Sequence, residues 1–125
     1  MVALHEPRWY AGDDAELFGR PKPVEKMRWR GNLTGSDAVA CAAAKEQHKI
    51  SQAAQAIARE QAGVRSDRAA RAWLVPQLHV LNRDTLRAAL QGKTRITLIQ
   101  LVDLEVVLGP LRTRHGQPPA TCQTQ

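Results

Sequence analysis

The sequence predicts an all-α fold: a compact bundle of four to five helices, preceded by an extended N-terminal arm and followed by a flexible C-terminal tail. Three observations carry that prediction. No run alternates apolar and polar residues with a period of two. Apolar residues recur instead at three- and four-residue spacing between Ser36 and Leu108. The helical stretches open on Ser, Thr, Asn or Asp, and most close on Gly or Pro. With 125 residues, 43% hydrophobic and 4% aromatic, the chain has material for one small domain whose core is Leu, Val, Ile and Ala.

Residues 1–35 form the arm. Pro7, Pro21 and Pro23 remove backbone donors, and four glycines loosen the segment. Asp13 to Phe18 has room for a single helical turn. Trp9, Tyr10, Phe18 and Trp29 offer the means to pin the arm to the domain. The helical domain spans residues 36–110. Ser36 and Asp37 cap a stretch free of Gly and Pro that runs to Ala62, with Gly63 as its stop. It forms one long helix, or two if Ser51 caps a second. Val39, Ala43, Ile50, Ala53, Ile57 and Val64 make its apolar stripe.

Ser66-Asp67 caps the next helix, which carries Ala69, Ala70, Trp73 and Leu74 inward and ends or kinks at Pro76. Asn82 caps a short helix with Leu86, Ala89 and Leu90 on its apolar face and Gly92 as its stop. Thr97 caps the last, Leu98 to Leu108, ended by Gly109-Pro110. That helix is apolar on nearly all sides. It is either central to the core or shares a second face with another subunit, as in a homodimer. Residues 111–125 are polar and make the tail.

Composition excludes several functions. Asp103 and Glu105 interrupt the longest apolar stretch, so no segment spans a membrane. The N-terminus lacks the pattern of a secretory signal. Cys41 and Cys122 are too few and too far apart for a disulfide framework or a four-cysteine zinc site. A cytoplasmic, reducing compartment is the simplest expectation. His5, His48, His79 and His115 have no metal-ligand spacing, and no metal or cofactor is expected. No nucleophile is placed beside a base, and no glycine loop cradles a phosphate or small ligand, so the chain is not expected to be an enzyme. Glu46 and Glu60 read as solvated charges that pair with Lys49 or Arg59. His79, between apolar neighbours, reads as packed or interfacial.

The positive charge points to a polyanion. The formal net charge is +6, and residues 81–125 hold six basic against three acidic residues. In that part of the chain Leu81 to Gly109 reads as a short capped helix, a Gly-Lys turn and an apolar helix. Off the buried face of the short helix stand Asn82, Arg83, Asp84, Thr85, Arg87 and Ala88. These are polar or small groups at a helix N-terminus, suited to base edges in a major groove. Arg65, Arg68, Gln91, Lys93 and Arg95 are placed to meet phosphates.

Leu81, Asn82, Leu86, Gly92-Lys93, Leu101, Leu104 and Leu108-Gly109 together resemble the C-terminal half of a lambda-repressor/Cro-type helix-turn-helix domain, about a quarter of the chain. The resemblance implies sequence-specific binding of double-stranded DNA for transcriptional repression, as in phage immunity repressors. The upstream half departs from that pattern: the connection from Trp73 to Val80 is longer and has no glycine. A second register is open, with Ile50 to Ala54 on the scaffold helix, a turn at Gly63-Val64 and Ser66 to Leu74 as the reading helix. Arg65, Arg68 and Arg71 would then be exposed.

Gly19-Arg20-Pro21-Lys22-Pro23 is similar to an AT-hook, an extended minor-groove binder, and equally has the composition of a Pro-rich linker. In the first case Arg20, Lys22, Arg28 and Arg30 add affinity beside the reading helix. The alternative to a repressor is an antitoxin-like or adaptor module that uses the same helices against a protein.

Overall fold

The long uninterrupted stretch becomes one helix, α1 (Gly35–Ala62), 28 residues long with Thr34 at its N-cap. In the computed structural model, which describes residues 4–112, α1 is the axis on which the rest is laid. Gly63 adopts φ 69° and stops it: the Gly63 and Val64 N–H groups close on the carbonyls of Glu60 and Arg59. Three shorter helices follow, α2 (Asp67–Leu74), α3 (Arg83–Leu90) and α4 (Leu98–Leu108). Short 3-10 segments cover Pro7–Leu17, Val24–Lys26 and Val75–Gln77, and the described residues contain no strand.

Ser36 and Asp37, the expected caps of α1, lie inside its first turn, because the helix starts one residue earlier, and Thr34 at the N-cap makes no side-chain bond. The caps of the three later helices fall where the sequence puts them. Ser66 Oγ accepts from the Ala69 N–H, and Asn82 and Thr97 each form a reciprocal capping box with the third residue of their helix. Leu74, Leu86, Leu90, Leu101, Leu104 and Leu108 close the main core, with Ala54 and Ala58 from α1 and Ala70 from α2.

The expected apolar stripe of α1 holds in its second half, where Ile50, Ala53, Ile57 and Val64 are half-buried and pack against the main core, and fails in its first half, where Val39 is 70% exposed and Ala43 is exposed. The innermost positions are Ala40, Cys41, Ala44, Gln47, His48, Ser51, Ala54, Gln55 and Ala58. They form a stripe just as regular, but small and polar. The reason is what packs on it: backbone of the N-terminal segment and of the residues after α3, which needs close approach and hydrogen-bond partners.

Residues 4–34 are therefore not an extended arm. Pro7–Leu17 winds into 3-10 turns, broken at Gly12, and Tyr10 and Phe18 are buried with Ala40, Cys41 and Ala44 in a second core. The Tyr10 hydroxyl donates to Asp37 Oδ1 at 2.8 Å. Asp14 accepts from the Arg28 N–H and from Lys22 Nζ, which hold its carboxyl below the usual range. The Gly19–Lys22 backbone is fastened along α1: Gly19 N–H donates to His48 Nδ1 at 2.8 Å, and Gln55 Nε2 donates to the Gly19 carbonyl at 2.9 Å. Gln52 Nε2 donates to the carbonyls of both Arg20 and Lys22. Sequence pattern missed this strap because its partners are single Gln and His side chains spaced along a helix, not an apolar face.

The bond from Gly19 requires an unprotonated Nδ1, so Nε2 carries the proton and donates to the Lys22 carbonyl at 2.8 Å. Burial pushes the His48 pKa below its usual value. The unfolded chain then takes up a proton more readily than the folded one. Stability is complete above about pH 6.5 and falls as pH drops from there toward the folded value. We expect the thermal midpoint to fall between about pH 7 and pH 5, and the fall to be flattened in His48→Gln. Equal slopes in the two proteins would remove His48 from this role.

At the other end Leu111 is buried in the main core, its N–H donating to Glu105 Oε2, and Arg112 pairs with the same carboxylate. The tail expected from residue 111 thus starts no earlier than 113, and residues 113–125 lie outside those described. Arg59 pairs with Asp67 rather than Glu60, while Glu46 pairs with Lys49 as expected. His79 is exposed, which removes the packed one of its two expected settings, and it contributes a backbone N–H to Asp103. No helix among the described residues is long and apolar enough to cross a membrane.

Candidate nucleic-acid interface

Polar side chains fix α3 at both ends. At its start, Asp103 of α4 is buried and accepts three successive backbone N–H groups, from His79, Val80 and Leu81, at 2.8–3.0 Å. Desolvation raises the pKa of that carboxyl, but the three donors outweigh it and hold the group below its usual range. At the helix end, Gln47 of α1 donates to the carbonyls of Ala89 and Thr94 and accepts from the Ile96 N–H. Gly92, at φ 75°, then turns the chain, and its carbonyl accepts from the Arg8 N–H. Leu86, Ala89 and Leu90 face inward; Arg83, Asp84, Thr85 and Arg87 face out, with Ala88 half-buried between faces. The short helix is thus a rigidly mounted rod with a polar outer side.

Two of the expected base-reading groups are partly committed. Asn82 Oδ1 accepts from the Thr85 N–H at 2.9 Å, and Thr85 Oγ1 accepts from the Asn82 N–H at 2.9 Å. The Asn82 amide nitrogen carries no bond in this box. Arg83 makes one loose contact, 3.5 Å, with Asp84, both side chains 85% exposed, and Arg87 forms no salt bridge among the described residues.

The cationic residues group unevenly. Arg68 and Arg71 of α2 and Arg83 and Arg87 of α3 line an open groove of about 670 Å³. A second, of about 590 Å³, shares Arg68 and Arg71 and is also lined by Arg20, Arg65 and Gln91. The arginines of the two helix-turn-helix registers thus line two neighbouring grooves that share Arg68 and Arg71. Lys93 and Arg95 are exposed beyond the end of α3 and line neither groove, and Arg95 donates to the His5 carbonyl.

The other arm cations are held elsewhere. Arg30 Nε donates to the Trp9 carbonyl and its guanidinium lies 4.0 Å from the Trp9 ring centroid. Lys22 pairs with Asp14, and Arg28 is exposed. Of the four AT-hook candidates only Arg20 lines either groove. The connection between α2 and α3, residues 75–82, includes a 3-10 turn and is longer than the tight turn of the resembled motif.

On α4, Leu101, Asp103, Leu104 and Leu108 face the core. Leu98, Ile99, Val102 and Val106 stand exposed along the opposite side. The expected core position holds for one face of this helix; the other is an apolar stripe facing outward.

Comparison with family models, curated proteins and solved structures finds no match to this chain.

Proposed function

We propose that this protein is a sequence-specific double-stranded-DNA-binding transcriptional repressor that lays α3 in the major groove. One observation carries this: exposed Arg83 and Arg87, on a helix anchored at both ends, share an open groove with Arg68 and Arg71 of the neighbouring helix. A rigid mount keeps base-reading groups in register, and guanidinium groups pair with guanine O6 and N7. Arg83, Thr85 and Arg87, with the Asn82 amide, contact base edges, while Asp84 and Ala88 line the contact. Arg65, Arg68 and Gln91 meet phosphates on one side, Lys93 and Arg95 beyond the helix end. The Leu81–Gly109 pattern supports repression as the outcome, including the immunity type found in phages.

The apolar stripe of α4 supports a homodimer, which matches a two-fold operator. The same stripe favours the second reading, an antitoxin-like or adaptor module whose partner is a protein.

Selection of bound sequences from random duplex DNA tests the proposal. We expect an enriched, two-fold site that binds two chains. Arg87→Ala is expected to weaken binding to that site by about 1–3 kcal/mol and binding to random duplex by much less. An equal loss on both, or no enriched site, would reject base reading by α3.

A further inference from the structure

Arg71 stands out among the arginines of α2. It is half-buried, and its hydrogen bond is a long one, 3.5 Å to Gln55 Oε1. Asp67, the acid whose field reaches it, is bound by Arg59. Around it lie Arg20, Arg68 and Arg87, all of the same sign. Gln55 is itself engaged with the Gly19 carbonyl, so the wall beside Arg71 is the strap fastened on α1. Both grooves pass through this point. A partly desolvated guanidinium that forms no salt bridge among the described residues, in the field of three like charges, is unfavourable in the free protein. An anion that accepts from its planar fork removes that penalty.

We propose that Arg71, flanked by Arg20 and Arg68, is a fixed seat for one backbone phosphodiester of bound DNA, and that the Gly19–Pro21 strap is a wall of this seat rather than a minor-groove hook. The seat rests on the DNA-binding reading above. It adds a cleft formed by the strap, α1, α2 and the end of α3, which fixes the strand beside α3. This cleft is open, and Phe18, the one aromatic residue lining it among the described residues, is buried in the core. It has no stacking platform for the base of a free nucleotide, whereas a strand of duplex can run through it.

Salt titration of duplex binding tests the seat, with Arg71→Ala and Arg71→Lys measured beside the unaltered protein. Circular dichroism and thermal melting establish that each is folded. Arg71→Ala is expected to bind duplex at least about tenfold more weakly and to lower the slope of log K against log salt by about 1. Arg71→Lys is expected to keep the slope and lose part of the affinity, because charge remains and the fork does not. Phosphate ethylation should block binding at one position per half-site, and that block should weaken in Arg71→Ala. If Arg71→Ala does not fold, Arg71→Lys and the ethylation pattern of the unaltered protein decide: affinity equal to the unaltered protein's, with no blocking position, rejects the seat. Unchanged affinity and slope in folded Arg71→Ala reject the seat and leave DNA binding by α3 standing. Binding of inorganic tripolyphosphate that depends on Arg71, with duplex binding untouched by the substitution, also overturns it. Failure of the unaltered protein to bind duplex at about 50 mM salt rejects both.

Discussion

Asp103→Ala is expected to remove about 3 kcal/mol of folding stability, measured by urea unfolding at neutral pH. Its carboxylate is the shared acceptor for three consecutive N–H groups at the entry to α3. An unmet buried donor costs about 1–3 kcal/mol, and hydrogen bonds to a charged acceptor are the stronger kind. Leu81 is buried and cannot recover its bond from water, whereas His79 and Val80 are exposed and recover part of theirs. Asp103→Asn keeps one acceptor oxygen and is expected to lose roughly half as much. The native carboxyl titrates below its usual range, so its contribution is present above about pH 4 and lost as pH falls through the folded value. A loss under about 1 kcal/mol in Asp103→Ala would show that the loop is held by packing alone.

Gly92→Ala is expected to lose about 3 kcal/mol by the same measurement, from two independent sources. The backbone at φ 75° disfavours any side chain with a Cβ, at about 1–2 kcal/mol. A Cβ there would also lie 2.6 Å from the Phe18 ring, and Phe18 is itself buried. Overpacking of that kind adds about 1–3 kcal/mol. Gly63 separates the two, since it has φ 69° and nothing within 4 Å of the same atom. Gly63→Ala should show the backbone part alone, about 1 kcal/mol. Equal losses at the two positions would mean that Phe18 moves aside and does not clamp the end of α3.

What the sequence made legible follows from how local each signal is. Ser66, Asn82 and Thr97 cap helices because a short side chain and the next three residues suffice to do it. Gly63, Gly92 and Gly109 end them by their own backbone freedom. The exposure of Arg83 and Arg87 followed from the phase set by Leu86 and Leu90. The small and polar stripe beside the expected face of α1 has an equally definite cause. Bulky Val39 and Ile50 attract a periodicity argument, yet Ala40, Ala44 and Ser51 are chosen by what must lie close against them. Gln47, Gln55, His48 and Asp103 act across 22 to 49 residues of sequence. No local pattern encodes such partners, so the strap and the anchoring of α3 emerged only in three dimensions. Arg71 was visible as one charge of the second register, expected exposed but half-buried against Gln55, and only the grooves made it central.

DNA recognition by this protein requires α3 to lie in the major groove of a specific site. Methylation interference at guanine N7 within the selected duplex tests it most directly, because N7 faces only that groove. Blocked binding is expected at guanines in both halves of the site, with the block at one of them lost in Arg87→Ala. Binding indifferent to N7 methylation, at every guanine of a site the protein still selects, would contradict it.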